Sequence, residues 1–226
     1  MNIMWWKRRG CAVHLPVFFI VLCIIGSDPR AQSREQTISS LQEYLQNLRS
    51  WKAEFRQTFN SGGIRQEESG TLWLKKPGRM RWEYHEPENK VFVADGKKTY
   101  FFVPADNQVS IREFTEEDLK YTAFGFLIGG GNLSEDFDVS EVAGNPESLS
   151  LRVLELAPRR PFENVASMAL EFDPTSNQIS SLTVREYTGG ISRFEFTQIE
   201  ENPRLSNQFF RFKISKGVEV IRIEEP

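Results

Sequence analysis

The side chains that could support acid–base or metal chemistry are few in this sequence. Two adjacent acidic pairs, Glu116-Glu117 and Glu135-Asp136, could supply the carboxylates of a hydrolase. The sequence contains neither the nucleophile-elbow pattern of hydrolases nor the HExxH pattern of zinc proteases. We therefore expect no enzyme, no catalytic residue and no cofactor.

The N-terminus has the organisation of a secretory signal. Three basic residues at positions 7–9 precede an apolar run of 11 residues at positions 15–25. A transmembrane helix needs about 20 apolar residues. We therefore predict a cleaved signal peptide at residues 1–31 and a mature domain at residues 32–226.

Two other signals are compatible with this N-terminus. Cys23 could accept a lipid, but Leu22 stands before it, where lipid attachment sites have a small residue. The pair Arg8-Arg9 could direct twin-arginine export, but such a pair alone is weak support.

Cleavage at residue 31 changes the chemistry that remains. Both cysteines, Cys11 and Cys23, would be removed, and His85 would be the only histidine left. The mature chain could then form no disulfide, no His/Cys metal site and no cysteine nucleophile. Four of 28 Lys+Arg and one of 31 Asp+Glu would leave, so the net charge becomes −6. This charge, with both signs interspersed, argues against a nucleic-acid partner.

The elements that would position a site are one helix followed by many strands. Ile38, Leu41, Leu45 and Leu48 form one apolar helical stripe, which Thr37 or Ser39 could cap. From Trp51 onward apolar and polar residues alternate with period two, as in strands with one buried face. Glycine-containing turns separate these strands. We predict one domain with roughly ten antiparallel strands in meander order.

One helical segment interrupts the strands. Thr115 precedes three acidic residues at 116–118, as expected for a helix N-cap with an acidic first turn. The second half of the segment, 123–128, is wholly apolar, and three glycines at 129–131 follow it. We predict a helix over Thr115–Ile128 with a hinge after it; an ordinary core helix with a glycine-rich exit is equally compatible.

Two helices are too few to cover a face of about ten strands. The sheet must either close on itself around a packed core or curl into a half-barrel whose concave face is partly filled. Large rings on that face favour an apolar cavity for an apolar ligand, and the candidates are Phe55, Trp82, Tyr84, Phe172, Phe194 and Phe196. The alternation alone allows both structures.

Residues 70–84 read GTLWLKKPGRMRWEY, and Pro87 and the segment 93–97, VADGK, follow them. This stretch resembles the signature of the LolA family of lipoprotein carriers, with its G-x-L-W-x-K-(R/K)-P, its W-x-Y strand and its D-G-K turn. Similar segments follow in the family's order, so the resemblance runs from about residue 36 to 223.

The resemblance implies a mainly β (α+β) fold, an incomplete antiparallel β-barrel with a short helical lid over an apolar cavity. It implies a periplasmic chaperone that carries acylated lipoproteins from an inner-membrane lipoprotein-releasing ABC transporter to an outer-membrane acceptor. The short signal core and the lack of a convincing lipid-attachment site predict that the mature protein is a monomer. Met80 and Trp82 match residues of the family's hydrophobic lining. Lys76 matches a basic residue that bonds the lid; the family commonly has arginine there, and lysine lacks its planar fork.

The expected acyl-binding residues combine these matches with the apolar faces of the strands and of the interrupting helix. They are Phe55, Leu72, Leu74, Met80, Trp82, Tyr84, Phe124, Phe126, Leu127, Met168, Phe172 and Phe194, with Lys76 as the lid latch. Three other functions remain compatible with the sequence: a lipid sensor on the same half-barrel, the outer-membrane acceptor, and a structural β protein without a ligand.

Overall fold

The structure is a computed structural model, which describes residues 29–115, 118, 124, 125, 127, 129, 131–142, 150–160 and 164–223. The predicted signal peptide therefore lies almost wholly outside the described residues. Most of the predicted helix Thr115–Ile128, the acidic pair Glu116-Glu117 and the side chain of Phe126 also lie outside them.

Twelve strands and two α-helices make up the described chain. The helices are α1 (Pro29–Asn47) and α2 (Leu133–Asp136). The first six strands are β1 (Ser50–Ser61), β2 (Ile64–Lys75), β3 (Arg79–Glu86), β4 (Lys90–Asp95), β5 (Lys98–Val103) and β6 (Gln108–Glu113). The other six are β7 (Phe137–Val142), β8 (Arg152–Pro158), β9 (Val165–Phe172), β10 (Ile179–Glu186), β11 (Ile191–Glu201) and β12 (Glu219–Arg222). Short 3₁₀ helices lie at Pro104–Asp106 and Asn207–Phe210.

All twelve strands belong to one sheet in the order β12-β6-β5-β4-β3-β2-β1-β11-β10-β9-β8-β7. Neighbours pair antiparallel except β12 and β6, which pair parallel. β12 and β7 stand at the two ends of this order, so the sheet is open. The prediction of an open, mainly antiparallel sheet with few helices is confirmed.

The predicted single meander is wrong. The strands form two meanders, β1–β6 and β7–β11, which meet where β1 pairs with β11 and Phe55 stands opposite Phe196. β6 and β7 follow each other in sequence but lie near opposite edges of the sheet. The chain between them must therefore cross the sheet, which a count of alternating segments cannot reveal.

Helix α1 packs on the concave face of the sheet. Leu41, Leu45 and Leu48 are buried in one apolar cluster with the inward side chains of the strands. The expected cap at Thr37 or Ser39 is wrong, because α1 already begins at Pro29 and the Thr37 hydroxyl donates to the carbonyl of Ser33 at 3.0 Å. Residues 33–36 are exposed and polar, and the apolar stripe starts at Ile38, more than two turns after Pro29.

The C-terminal part of the chain packs on the convex face. After β11, the ring of Phe209 meets Trp73 of β2 at 5.2 Å, and the ring of Phe212 stacks on Tyr100 of β5 at 5.5 Å. Phe210 is fully buried but does not belong to the concave cluster. The sheet therefore has an apolar layer on each side.

Gly70 allows the aromatic rings on the concave face to meet. It lies between Phe55 of β1 and Tyr84 of β3 in the register of the strands. A Cβ at position 70 would lie 2.0 Å from the carbonyl oxygen of Glu83, so no other residue fits without a backbone shift. Across this glycine the rings of Phe55 and Tyr84 make an edge contact at 5.2 Å.

Candidate functional site

The predicted acyl-binding residues come together on the concave face. Ten of them lie in one buried cluster, and Tyr84 packs against its edge; Phe126 is outside the described residues. Strand alternation explains the grouping, because Leu72 stands opposite Trp82 and Leu74 opposite Met80, so all four point to the same side. The clustered residues are Phe55, Leu72, Leu74, Met80, Trp82, Phe124, Leu127, Met168, Phe172 and Phe194.

Trp82 stands at the centre of the aromatic part of this cluster. Its ring makes edge contacts with Phe55 at 4.9 Å and Phe194 at 5.7 Å, and stacks with Tyr84 at 6.2 Å. Burial raises the pKa of the Tyr84 phenol above its usual value. The phenol therefore stays neutral at physiological pH, and the Lys90 ammonium lies over its ring at 4.8 Å.

Phe124 comes from the segment that joins β6 to β7 and inserts into the same aromatic group. Its ring lies edge-on to Trp82 at 4.8 Å and to Phe194 at 5.1 Å, and it meets Phe196 at 6.4 Å. Only 8% of Phe124 is exposed, and Leu127 one turn later is buried too. Phe124 and Leu127 thus cover the aromatic part of the concave face.

The joining segment is fixed to the sheet at its start. The Thr115 backbone N–H and hydroxyl both donate to Asp118, at 2.7 and 2.8 Å, and the Asp118 N–H donates back to the Thr115 hydroxyl at 3.1 Å. This reciprocal pair is a capping box, as expected for an N-cap at Thr115. The Asp118 carboxylate also pairs with Arg112 of β6 at 3.0 Å.

Lys76 links the end of β2 to two covering segments. Its ammonium donates to the carbonyl oxygen of Leu45 near the C-terminus of α1. A Cβ at Gly129 would lie 3.4 Å from Lys76 Cγ and Cδ, so the lysine stem passes directly beside the joining segment. Burial lowers the pKa of Lys76 below its usual value. The hydrogen-bond acceptor of Lys76 is thus on α1, while its stem contacts the segment after Phe124.

The sequence matches known proteins over most of its length. Residues 46–213 match the family described as outer membrane lipoprotein carrier protein LolA. The chain therefore belongs to the LolA family. It is 31% identical over 195 residues to the outer-membrane lipoprotein carrier protein of Chromohalobacter salexigens, covering 85% of this chain and 90% of that protein. The corresponding protein of Legionella pneumophila is 30% identical over 208 residues, covering 91% and 98%.

A solved structure has a similar fold. An uncharacterized conserved protein from Thermus thermophilus superposes with a TM-score of 0.51 at 16% identity, covering 84% of this chain and 99% of that one. At this identity the similarity concerns the fold alone.

Several members of the concave cluster of this LolA-family chain were absent from the predicted set. Trp51 contacts Phe196 edge-on at 5.0 Å. Phe196 is among the rings predicted on the inner face, and Trp51 lies in the same alternating pattern, so the sequence could have identified Trp51 as well. The missed residues of the cluster also include Leu41, Leu45, Phe114, Leu133, Phe137, Leu154, Leu156 and Leu182. The connection between β6 and β7 follows a course that the sequence does not reveal. It is flanked by Phe114, Leu133 and Phe137.

Among the described residues no group of three His, Cys, Asp or Glu side chains is arranged to hold a metal ion. None of the described helices of this LolA-family chain is long and apolar enough to cross a membrane. A groove of about 840 Å³ opens beside Lys76, between the end of α1 and the turn after β11.

Proposed function

We propose that this chain is a periplasmic carrier that binds the acyl chains of lipoproteins on its concave face and delivers them to the outer membrane. The observation that carries the proposal is the contact between Phe124 and the aromatic group around Trp82. The segment that covers the apolar face is anchored by side-chain contacts rather than by strand pairing among the described residues. Such a segment can leave the face without disrupting the sheet.

The physical need for a carrier follows from the cargo. Each methylene moved from an apolar environment to water costs about 0.8 kcal/mol, so three long acyl chains in water would cost tens of kcal/mol. Crossing an aqueous compartment requires a protein surface that replaces the membrane for these chains. A concave face lined by Trp82, Phe55 and Phe194 supplies such a surface.

Uptake and release follow from competition for one surface. In the closed form Phe124 and Leu127 occupy the concave face, and Lys76 holds α1 beside them. Acyl chains take the place of these side chains when the covering segments move away. Return of Phe124 to Trp82 then helps to expel the cargo, so transfer needs no nucleotide in the carrier itself.

The carrier would receive acylated lipoproteins from an inner-membrane ABC transporter and pass them to an outer-membrane acceptor. Three observations support this direction and compartment: the signal-like N-terminus, the family membership, and the names of the two relatives, which are both outer-membrane lipoprotein carrier proteins. A carrier of this kind acts by binding and not by catalysis.

The proposal is tested by purifying the chain from periplasm and identifying co-purified molecules by mass spectrometry. We expect acylated proteins in the wild-type sample and far fewer in a Trp82→Ala variant. Recovery of the chain without acylated protein, in cells that overproduce a lipoprotein, would contradict the proposal. Recovery of free lipid alone would favour a lipid sensor on the same fold.

A further inference from the structure

The groove beside Lys76 has an unusual charge composition for this molecule. Four of its nine lining residues are basic and none is acidic: Arg49, Ser50, Lys75, Lys76, Asn202, Pro203, Arg204, Leu205 and Ser206. The whole chain, in contrast, has a net charge of −3. We call this surface the basic groove.

The four cations of the basic groove have no carboxylate partner among the described residues. Lys75 donates to the Leu205 carbonyl at 2.5 Å and Lys76 to the Leu45 carbonyl, both of which are uncharged acceptors. The guanidinium groups of Arg49 and Arg204 form no hydrogen bond or ion pair within the described chain, and both residues are exposed. Unpaired guanidinium groups are well suited to bind the oxygens of phosphate in bidentate geometry.

Backbone contacts hold the walls of the groove in place. The Asn202 side-chain oxygen accepts from the backbone N–H of Arg49 at 2.7 Å, and the Asn202 N–H donates to the Ser50 carbonyl at 2.8 Å. The Ser50 hydroxyl donates to the Pro203 carbonyl at 2.6 Å. The turn after β11 is therefore tied to the start of β1, and Arg49 and Arg204 project from one fixed frame.

We propose that the basic groove is a binding site for the phosphate groups of anionic phospholipids. A peptide partner is less suited to it, because β1 and β2 are each paired on both sides and the groove offers no free strand edge. Charge is its main feature, and clustered Lys and Arg side chains bind anionic bilayers by charge. A positive site on a negative molecule also orients the chain toward such a surface.

The site deepens the proposed carrier function and rests on it. Lys76 belongs both to the groove and to the contact with α1. A lipid phosphate in the groove competes with the Leu45 carbonyl for the Lys76 ammonium, so the hold on α1 weakens at a membrane surface. The empty carrier would thereby open where it takes up acyl cargo from a bilayer, and stay closed in free solution.

Vesicle flotation with the mature chain tests the site. We expect binding to vesicles that contain phosphatidylglycerol, none to pure phosphatidylcholine, and loss of binding as salt is raised. The Arg49→Gln/Arg204→Gln variant should bind at least about tenfold more weakly. The control variant Lys213→Gln/Lys216→Gln removes the same charge from the exposed C-terminal segment and should bind within about twofold of wild type, since both lysines lie outside the groove.

Equal losses in both variants, or no binding by the wild-type chain, would overturn the site. Inorganic phosphate can be added at the same concentration as the lipid phosphate of the vesicles. If it displaces the chain from the vesicles, the ligand of the groove is free phosphate and not lipid. A glutamate-rich peptide that binds the groove more tightly than vesicles do would assign the groove to a protein partner instead.

Acyl uptake separates this inference from the function on which it rests. A fluorescent fatty-acid analogue is added without vesicles, and the Arg49→Gln/Arg204→Gln variant should load like wild type. If the wild-type chain does not bind the analogue, the proposed carrier function is contradicted. If the wild-type chain loads the analogue but the variant still binds vesicles as wild type does, the proposed phosphate site in the groove is rejected and the carrier function is not.

Discussion

The ring of Phe124 lies edge-on to the indole of Trp82, with ring centroids 4.8 Å apart and planes at 81°. One residue belongs to the segment that covers the concave face, and the other to strand β3 of that face. Their contact joins a segment whose described residues belong to no strand of the sheet to a strand that is paired on both sides. In the proposed carrier cycle it is the contact that acyl cargo replaces.

Removal of the Phe124 ring should increase acyl affinity. Phe124 contacts Trp82, Phe194 and Phe196, and each aromatic pair contributes about 0.5–1.5 kcal/mol beyond the area it buries. Phe124→Ala weakens the closed form, so the fluorescent fatty-acid analogue should bind about tenfold more tightly, equivalent to ~1.4 kcal/mol. Equilibrium titration measures this, and unchanged or weaker binding would contradict the role of Phe124.

Removal of the Trp82 ring should have the opposite effect on acyl affinity. Trp82→Ala removes part of the binding surface itself, and it should also lower the free energy of unfolding by about 3 kcal/mol because the ring is buried. Fatty-acid binding is measured well below the melting temperature of the variant, so that only folded protein is compared.

Phe210→Ala is the matched control for the Trp82 variant. Phe210 is fully buried but lies outside the concave cluster, so its loss should lower stability without changing acyl affinity. If both variants bind the analogue as wild type does, Trp82 is only a packing residue. If both lose binding equally, the loss reflects stability and not the site.

The concave face could be predicted from the sequence because its signal is local. In a strand alternate residues point to the same side, so Met80, Trp82 and Tyr84 had to share a face whatever their neighbours were. The partners of that face depend on long-range order. The sequence did not reveal that β6 and β7 lie near opposite edges of the sheet, nor that the chain between them carries Phe124 to Trp82.

The surroundings of Lys76 illustrate the same limit. Its position before Pro77 favours an extended backbone, which agrees with a residue at the end of a strand. The acceptor of its ammonium, the Leu45 carbonyl, is 31 positions away in the chain and on a different element. No local pattern connects the two residues, and the basic groove around Lys76 also draws on residues near position 204.

The ion pair between Glu171 and Arg193 should stabilise the sheet in a pH-dependent way. Two hydrogen bonds join the groups, at 2.8 and 3.1 Å, from β11 to β9 across β10. The Arg193 guanidinium holds the pKa of Glu171 below its usual value of 4.5. The stabilisation is therefore fully present above about pH 4.5 and is lost as the pH falls through the lowered pKa of folded Glu171.

Glu171→Gln should lower the free energy of unfolding by about 1 kcal/mol at pH 7, a modest value because Arg193 is partly exposed. The difference from wild type should vanish in acid, below the lowered pKa. Glu195→Gln serves as the control, because Glu195 contacts the same arginine through one longer bond of 3.3 Å and is more exposed. This substitution should lower the free energy of unfolding less than Glu171→Gln does. Denaturant unfolding at several pH values measures both, and a Glu171 effect that persists in acid would refute the assignment.

The exported chain should begin between residues 27 and 33, following cleavage between residues 26 and 32. Residues 33–36 are exposed and Thr37 is the first buried residue of the described chain, so cleavage at residue 31 removes no described buried side chain. Intact mass spectrometry of periplasmic protein measures the N-terminus. A diacylglyceryl group on Cys23 would show instead that the chain is itself a lipoprotein.

Replacement of Lys76 should separate cargo loading from cargo release. Lys76→Leu keeps an apolar stem beside Gly129 but removes the hydrogen bond to the Leu45 carbonyl, worth about 1 kcal/mol. The closed form loses this energy while the concave face is unchanged, so the variant should load lipoprotein at least as tightly as wild type. Because closure helps to expel the cargo, the loaded variant should pass it on several-fold more slowly, while thermal stability changes little.

Transfer from loaded carrier to purified acceptor, without vesicles, measures the effect of Lys76. Lys75→Leu is the matched control, because this neighbouring lysine donates to the Leu205 carbonyl and not to α1. It removes the same charge at nearly the same place, so any difference between the two variants belongs to the contact with α1. Slow transfer in Lys76→Leu alone supports a latch between β2 and α1. If both variants transfer cargo at the wild-type rate, Lys76 has no role as a latch and is an ordinary residue at the end of a strand.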